Sequence, residues 1–210
     1  MRLDSEVVFK PHSCQALNVS GKALTIISHH EHMKKSDKQF GQYIFDNHDF
    51  DGNAEDFMEI TAPLIGFIVH SFNSLDGLLN STICELINDR SDEMGAIIIY
   101  KLPFSAKVDL FYRLVRSIEV AGEEEISSLK TLIENLKKCG TLRNAVVHAE
   151  WDHVDENGYT FVKMHFDKNG MRQHYWQFTP DALEEIDQFI HDTYMMFDLF
   201  DEQKQKLFSR

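Results

Sequence analysis

Between Asn53 and Leu86 apolar side chains return at helical intervals: Phe57, Ile60, Leu64, Ile68, Leu75, Leu79, Ile83 and Leu86. At 3.6 residues per turn this spacing gathers them on one side of a long helix, and that side must be buried against other elements. The chain is therefore expected to build its core around this helix. Asn53, with Asp56 three residues on, reads as an N-cap and its acidic partner. Pro63 lies inside the pattern and lacks the N–H that a helix would direct at the carbonyl of Glu59, so a kink is expected over residues 59–63. The most apolar run, residues 64–69, is interrupted by Gly66 and followed by His70, Asn73 and Asp76. It falls short of the roughly 20 apolar residues of a membrane span, and none is expected.

The rest of the pattern is also mainly helical. After a short extended start with Val7, Val8 and Phe9, a polar helix is expected over residues 20–46, with Leu24, Ile27, Phe40, Tyr43 and Ile44 on a thin stripe. A break at residues 89–95 and an apolar stretch lead to Leu102-Pro103-Phe104-Ser105, which opens a shorter helix with Val108, Phe111 and Leu114 inward. Gly122 and three glutamates start the next helix, since acids favour the positive end of the backbone dipole. Ile126, Leu129, Ile133 and Leu136 follow at helical spacing, and the helix should continue through Arg143 to His148. Asn157-Gly158 and Asn169-Gly170 flank residues 159–166, and a second aromatic-rich run spans 171–178. Asn-Gly tolerates the positive φ of tight hairpins, so residues 151–178 are expected to form a three-stranded antiparallel β-meander. Thr179-Pro180-Asp181 then supplies an N-cap, a proline at the first helical position and an early acid, opening a C-terminal helix over 180–207 with Leu183, Ile186, Ile190 and Phe197 inward. With no internal repeat and no low-complexity linker, residues 1–210 read as one mainly α domain.

Charge and cysteines narrow the function classes. Lys and Arg number 21 against 34 Asp and Glu, a formal charge of −13, which argues against non-specific coating of nucleic acid and against an anionic membrane surface as partner. Cys14, Cys84 and Cys139 form no CxxC pair, and the start of the chain alternates charged and apolar residues unlike a signal peptide, so a cytoplasmic protein is expected. No Walker loop, G-x-G-x-x-G, G-x-S-x-G or H-E-x-x-H is present, and no cofactor is expected. His29 and His32 could share a metal at i,i+3, but His29, His30 and His32 read better as a solvated helix face. His165 and His174 would lie opposite each other if a two-residue Asn169-Gly170 turn closes the hairpin, and a four-residue loop would break that register. No metal is expected at either place. Tyr159, Phe161, Tyr175, Trp176 and Phe178 could stack bases, though core packing explains the same alternation.

One segment carries chemistry: Leu142-Arg143-Asn144-Ala145-Val146-Val147-His148. On a helix at about 100° per residue, Asn144 and His148 fall within roughly 40° of each other, whereas Arg143 lies well round the helix and must curl its side chain across the face or meet a histidine of another subunit. The segment resembles the R-N-x-x-x-H signature of the HEPN superfamily, small helical proteins many of which are metal-independent ribonucleases, with Arg143, Asn144 and His148 at the three motif positions. Random order of this composition would produce roughly 0.02 such hexapeptides.

The resemblance implies a HEPN-like helical bundle, elaborated by the β-meander and the terminal helix. It implies a homodimer whose two motifs face each other across one cleft, and RNA as substrate, in a toxin or defence role with an antitoxin or regulatory protein as a further partner. Histidine can take or give a proton near neutral pH, and arginine can hold phosphate oxygens and stabilise added charge. Arg143 and His148 would thus serve attack of a 2′-hydroxyl on its own phosphodiester, with Asn144 orienting one or the other. Gly140 and Thr141 would let a second helix approach. Lys137 and Lys138 make the stretch before His148 basic and are candidate substrate contacts, although Glu150, Asp152, Asp155 and Glu156 follow at once. A HEPN module that binds nucleotide, RNA or protein without cleavage is the alternative.

Overall fold

A computed structural model of the chain describes residues 33–39, 54–122, 125–151, 154, 158–168 and 170–208. Among them the elements run β1 (Lys35–Gln39), α1 (Ala54–Ile87), α2 (Glu93–Ile99), α3 (Phe104–Gly122), α4 (Leu129–Val147), β2 (Tyr159–Asp167), β3 (Gly170–Gln177) and α5 (Pro180–Phe208). The protein is mainly helical with a small three-stranded antiparallel sheet.

The 34-residue α1 is the element on which the others pack, and Pro63 lies inside it without ending it. Its Ile68, Leu75, Leu79 and Ile83 are fully buried. α3 begins level with Phe72, whose ring lies 4.6 Å from that of Phe104, and Lys107 pairs with Asp76 at 2.9 Å, so α3 runs parallel to α1. This explains why Ile60, expected on the buried stripe, is exposed: it precedes the stretch that α3 covers. The bonds Ser71–Asp187 and Glu85–Lys204 make α5 parallel to α1 as well. α4 runs the other way, with Asn135 at Met196, Cys139 at Thr193, and Lys137 at Asp109 of α3. The result is a four-helix bundle whose centre holds Phe111, Phe197, Phe200, Leu132, Leu136 and Ile186. The expected N-cap Asn53 lies outside the described residues.

By length and composition alone Asp56–Ile87 is long and apolar enough to cross a membrane, a pattern that a core helix also gives. Polar residues punctuate it, and here Ser71, Asp76 and Glu85 are bonded to the neighbouring helices while the apolar stripe lies in the core.

The apolar stretch after the expected break is itself helical. α2 returns the chain beside α1, and its Gly95 backs on Cys84 so closely that a Cβ there would sit 2.6 Å from the Cys84 Cα. The glutamates after Gly122 do not open α4 as expected: α3 extends to Gly122 and α4 begins only at Leu129. Buried Glu119 explains the junction, because its carboxylate accepts the Ile126 N–H at 2.7 Å and pairs with Arg116, holding residue 126 in a loop. At α5 the expected cap is present, with Thr179 Oγ1 accepting the Ala182 N–H at 3.2 Å.

The sheet departs from the expected meander. Gly158 and Gly170 adopt positive φ, 80° and 108°, and β2 pairs with β3 from Tyr159–Gln177 to Asp167–Gly170. The third strand, however, is β1, so the order is β1-β3-β2, and the described residues within 151–178 supply two of the three strands. β1 lies in the segment expected to be helical over 20–46; residues 20–32 and 40–46 are outside the described residues. Pairing with the open edge of β3 overrides the weak local pattern, and the Lys35 ammonium 4.1 Å from the Trp176 ring centroid anchors the register. A lysine-bearing polar strand also suits a sheet edge.

Cys139 illustrates what burial does inside this bundle. Fully buried in α4, its thiol is pushed up to about 12 by desolvation, against the pull of its contact with Thr193. The folded chain thus keeps a proton that the unfolded chain releases above the ordinary thiol value of 9.0. Stability is therefore expected to fall as pH rises beyond that value. Urea unfolding at pH 8.5 and 10.5 should show the wild type losing about 2 kcal/mol more than Cys139→Ala over the interval. Equal losses in both would contradict this account.

Candidate functional site

The end of α4 lies where the bundle meets the sheet. Leu136, Cys139, Leu142, Ala145 and Val146 face the core, which leaves Lys137, Thr141, Asn144 and His148 along one exposed line. The helix ends at Val147. His148 is its C-cap, with φ −100° and ψ 4°, and its backbone N–H donates to the Asn144 carbonyl at 3.0 Å. The following segment is pinned: the Glu150 N–H donates to the Phe161 carbonyl at the outer edge of β2, and Trp151 Nε1 donates to the Val146 carbonyl at 2.8 Å. The His148 side chain is exposed at this junction.

Arg143 directs its side chain to the neighbouring Asn144 and to the Phe72 ring of α1. Its Nη1 donates to Asn144 Oδ1 at 3.0 Å, and its guanidinium carbon lies 5.3 Å from the centroid of the Phe72 ring. Phe72 rests on Phe104, which in turn fills the space beside Gly140, where a Cβ would meet Phe104 Cδ1 at 3.0 Å. The space expected to admit a second helix at Gly140 is thus occupied by the chain's own α3. The Nε of Arg143 is buried without a hydrogen-bond partner. A guanidinium backed by a ring and tethered to one amide suits an oxyanion.

The two lysines separate. Lys137 shares the exposed line with Asn144 and His148, and its ammonium pairs with Asp109 at 2.9 Å. Lys138 faces α5, over the Phe189 ring at 4.6 Å, and burial with Lys35 nearby holds it below the usual lysine range. Lys138 therefore lies away from the motif face. Phe72 and Phe104, which position Arg143, were not singled out from the sequence, because only the tertiary packing of α1, α3 and α4 gives them that task.

Other candidates resolve as follows. His29, His30 and His32 lie outside the described residues. Trp176 and Phe178 are buried and pack on each other, and Tyr175 is buried with Phe161 against its edge, so these aromatics serve packing instead of base stacking. In the hairpin Asp167 pairs with Gly170, which sets His165 opposite Arg172 and His174 opposite Lys163. The two imidazoles are diagonal neighbours, with ring centroids 5.3 Å apart. Among the described residues no group of three or more His, Cys, Asp or Glu is placed to hold a metal ion.

No family model, no curated protein and no solved structure matches this chain.

Proposed function

We propose that the chain is a metal-independent endoribonuclease of the HEPN type, acting as a homodimer. The observation that supports this most is the joined Arg143–Asn144 pair beside the exposed His148 at the end of α4. Arg143 would hold the phosphate and stabilise the charge of the pentacovalent state, Asn144 would fix the guanidinium, and His148 would move the proton. Two α4 ends across a two-fold axis would bring two imidazoles to one phosphodiester, one to accept the 2′-hydroxyl proton and one to protonate the leaving 5′-oxygen. Lys137 would add a local positive charge along the same line.

The acidic groove lined by Asp181, Glu184, Glu185 and Gln188 with Lys34 supports a second element of the reading, a basic protein partner such as an antitoxin or regulator. It also favours the alternative of a non-catalytic HEPN module more than a strand-coating nuclease would allow.

Cleavage of RNA in excess EDTA tests the leading reading. Cutting that persists in chelator, and leaves 2′,3′-cyclic phosphate ends, is expected. Intact RNA with measurable binding would transfer the assignment to the non-catalytic module.

A further inference from the structure

A second cluster stands on the sheet, apart from the motif of α4. On β3, His174 is paired in register with Asp37 of β1 on one side and Lys163 of β2 on the other. His174 Nδ1 donates to Asp37 Oδ1, which fixes the ring and leaves Nε2 for another contact. His165 stands diagonal to it in ring contact and opposite Arg172. Cross-strand partners share a face, so Lys163, His165, Arg172, His174 and Asp37 lie together on the face that carries Trp176 and Lys35. Lys163 and His165 are exposed, and His174 and Arg172 are half-buried.

The charges decide what such a cluster holds. Lys35, Lys163 and Arg172 outnumber Asp37 and Asp167 on this face, in a chain whose formal charge is −13. A cationic side chain opposite each imidazole would repel a divalent metal, and Asp37 is already engaged with His174. An oxyanion meets the opposite conditions: two cationic side chains and two imidazoles share one face. An anion bound beside the two imidazoles favours their protonated forms. Proton uptake and anion binding are then linked, each favouring the other by the same factor.

We propose that Lys163, His165, Arg172 and His174 form a phosphate-binding site, which takes up a proton as it receives the phosphate of a nucleotide or of an RNA strand. The site needs neither the α4 motif nor a second chain, so it stands whether or not Arg143 and His148 cleave RNA.

Titration calorimetry on the full chain tests it, with inorganic phosphate, a 5′-mononucleotide and a short RNA as probes. Each is measured near pH 6 and pH 8 in two buffers of different ionisation enthalpy, the RNA arm in a His148→Ala background so that the strand stays whole. Phosphate should bind at least about tenfold more tightly near pH 6, with net proton uptake. Lys163→Gln and Arg172→Gln should each weaken binding about tenfold, while Arg172→Lys retains most of it. Thermal melts confirm that the variants fold. RNA binding tighter than the mononucleotide identifies a strand as the source, and equal affinities identify the free nucleotide. The proposal is overturned by absence of phosphate binding at both pH values, or by an affinity indifferent to pH and to both substitutions. It is equally overturned by tight Zn²⁺ binding that His165→Ala abolishes while phosphate leaves no heat.

Discussion

His148→Ala and Arg143→Ala are each expected to lower RNA cleavage at least about a hundredfold, the scale of losing an acid–base group or a charge stabiliser. Their effects on stability should differ. The His148 side chain is exposed at the end of α4, so its removal should leave the melting temperature within error. Arg143 covers the Phe72 ring and holds Asn144, so Arg143→Ala should also cost about 1 kcal/mol of stability. Asn144→Ala should act between wild type and these variants, since it frees the guanidinium without removing it. Initial rates on a fluorescent RNA, set beside thermal melts of the same preparations, separate catalysis from folding. Loss of activity that merely tracks loss of stability in both variants would assign the triad to structure.

How much of this was legible in the sequence depends on how local the determining forces are. The apolar period of α1 and α4, the Thr179-Pro180 start of α5 and the glycines at 158 and 170 are local signals, and the elements they mark are present. The misjudged places are those decided by distant partners. Glu119 holds Ile126 in a loop, so the glutamates after Gly122 are spent before α4 begins. β1 is a polar five-residue strand with no pattern of its own, and only the free edge of β3 and the faces of Trp176 and His174 specify it. The site divides the same way. The spacing of Asn144 and His148 placed them on one line of α4, but the direction of Arg143 required the Phe72–Phe104 pair, and Lys138 was turned away by Phe189.

Mixed dimers are the sharper test of the proposed shared cleft. If one imidazole accepts the 2′-hydroxyl proton while its mate protonates the leaving oxygen, a dimer of one wild-type and one His148→Ala chain keeps only half of a single machine. Its turnover should then fall near that of the doubly substituted dimer, about a hundredfold below wild type, because acid and base act on the same phosphodiester. Two self-sufficient sites would instead leave half of the wild-type rate. Gly140 sharpens the geometry: Phe104 of the same chain fills the space beside it, so a two-fold contact would have to use the exposed line of Lys137, Thr141, Asn144 and His148. A Thr141→Arg substitution on that line should accordingly impair both assembly and cleavage, and light scattering beside the rate assay reads both. Mixed dimers that hold half the wild-type turnover, or a Thr141→Arg chain that cleaves normally as a monomer, would remove the second protomer from the mechanism.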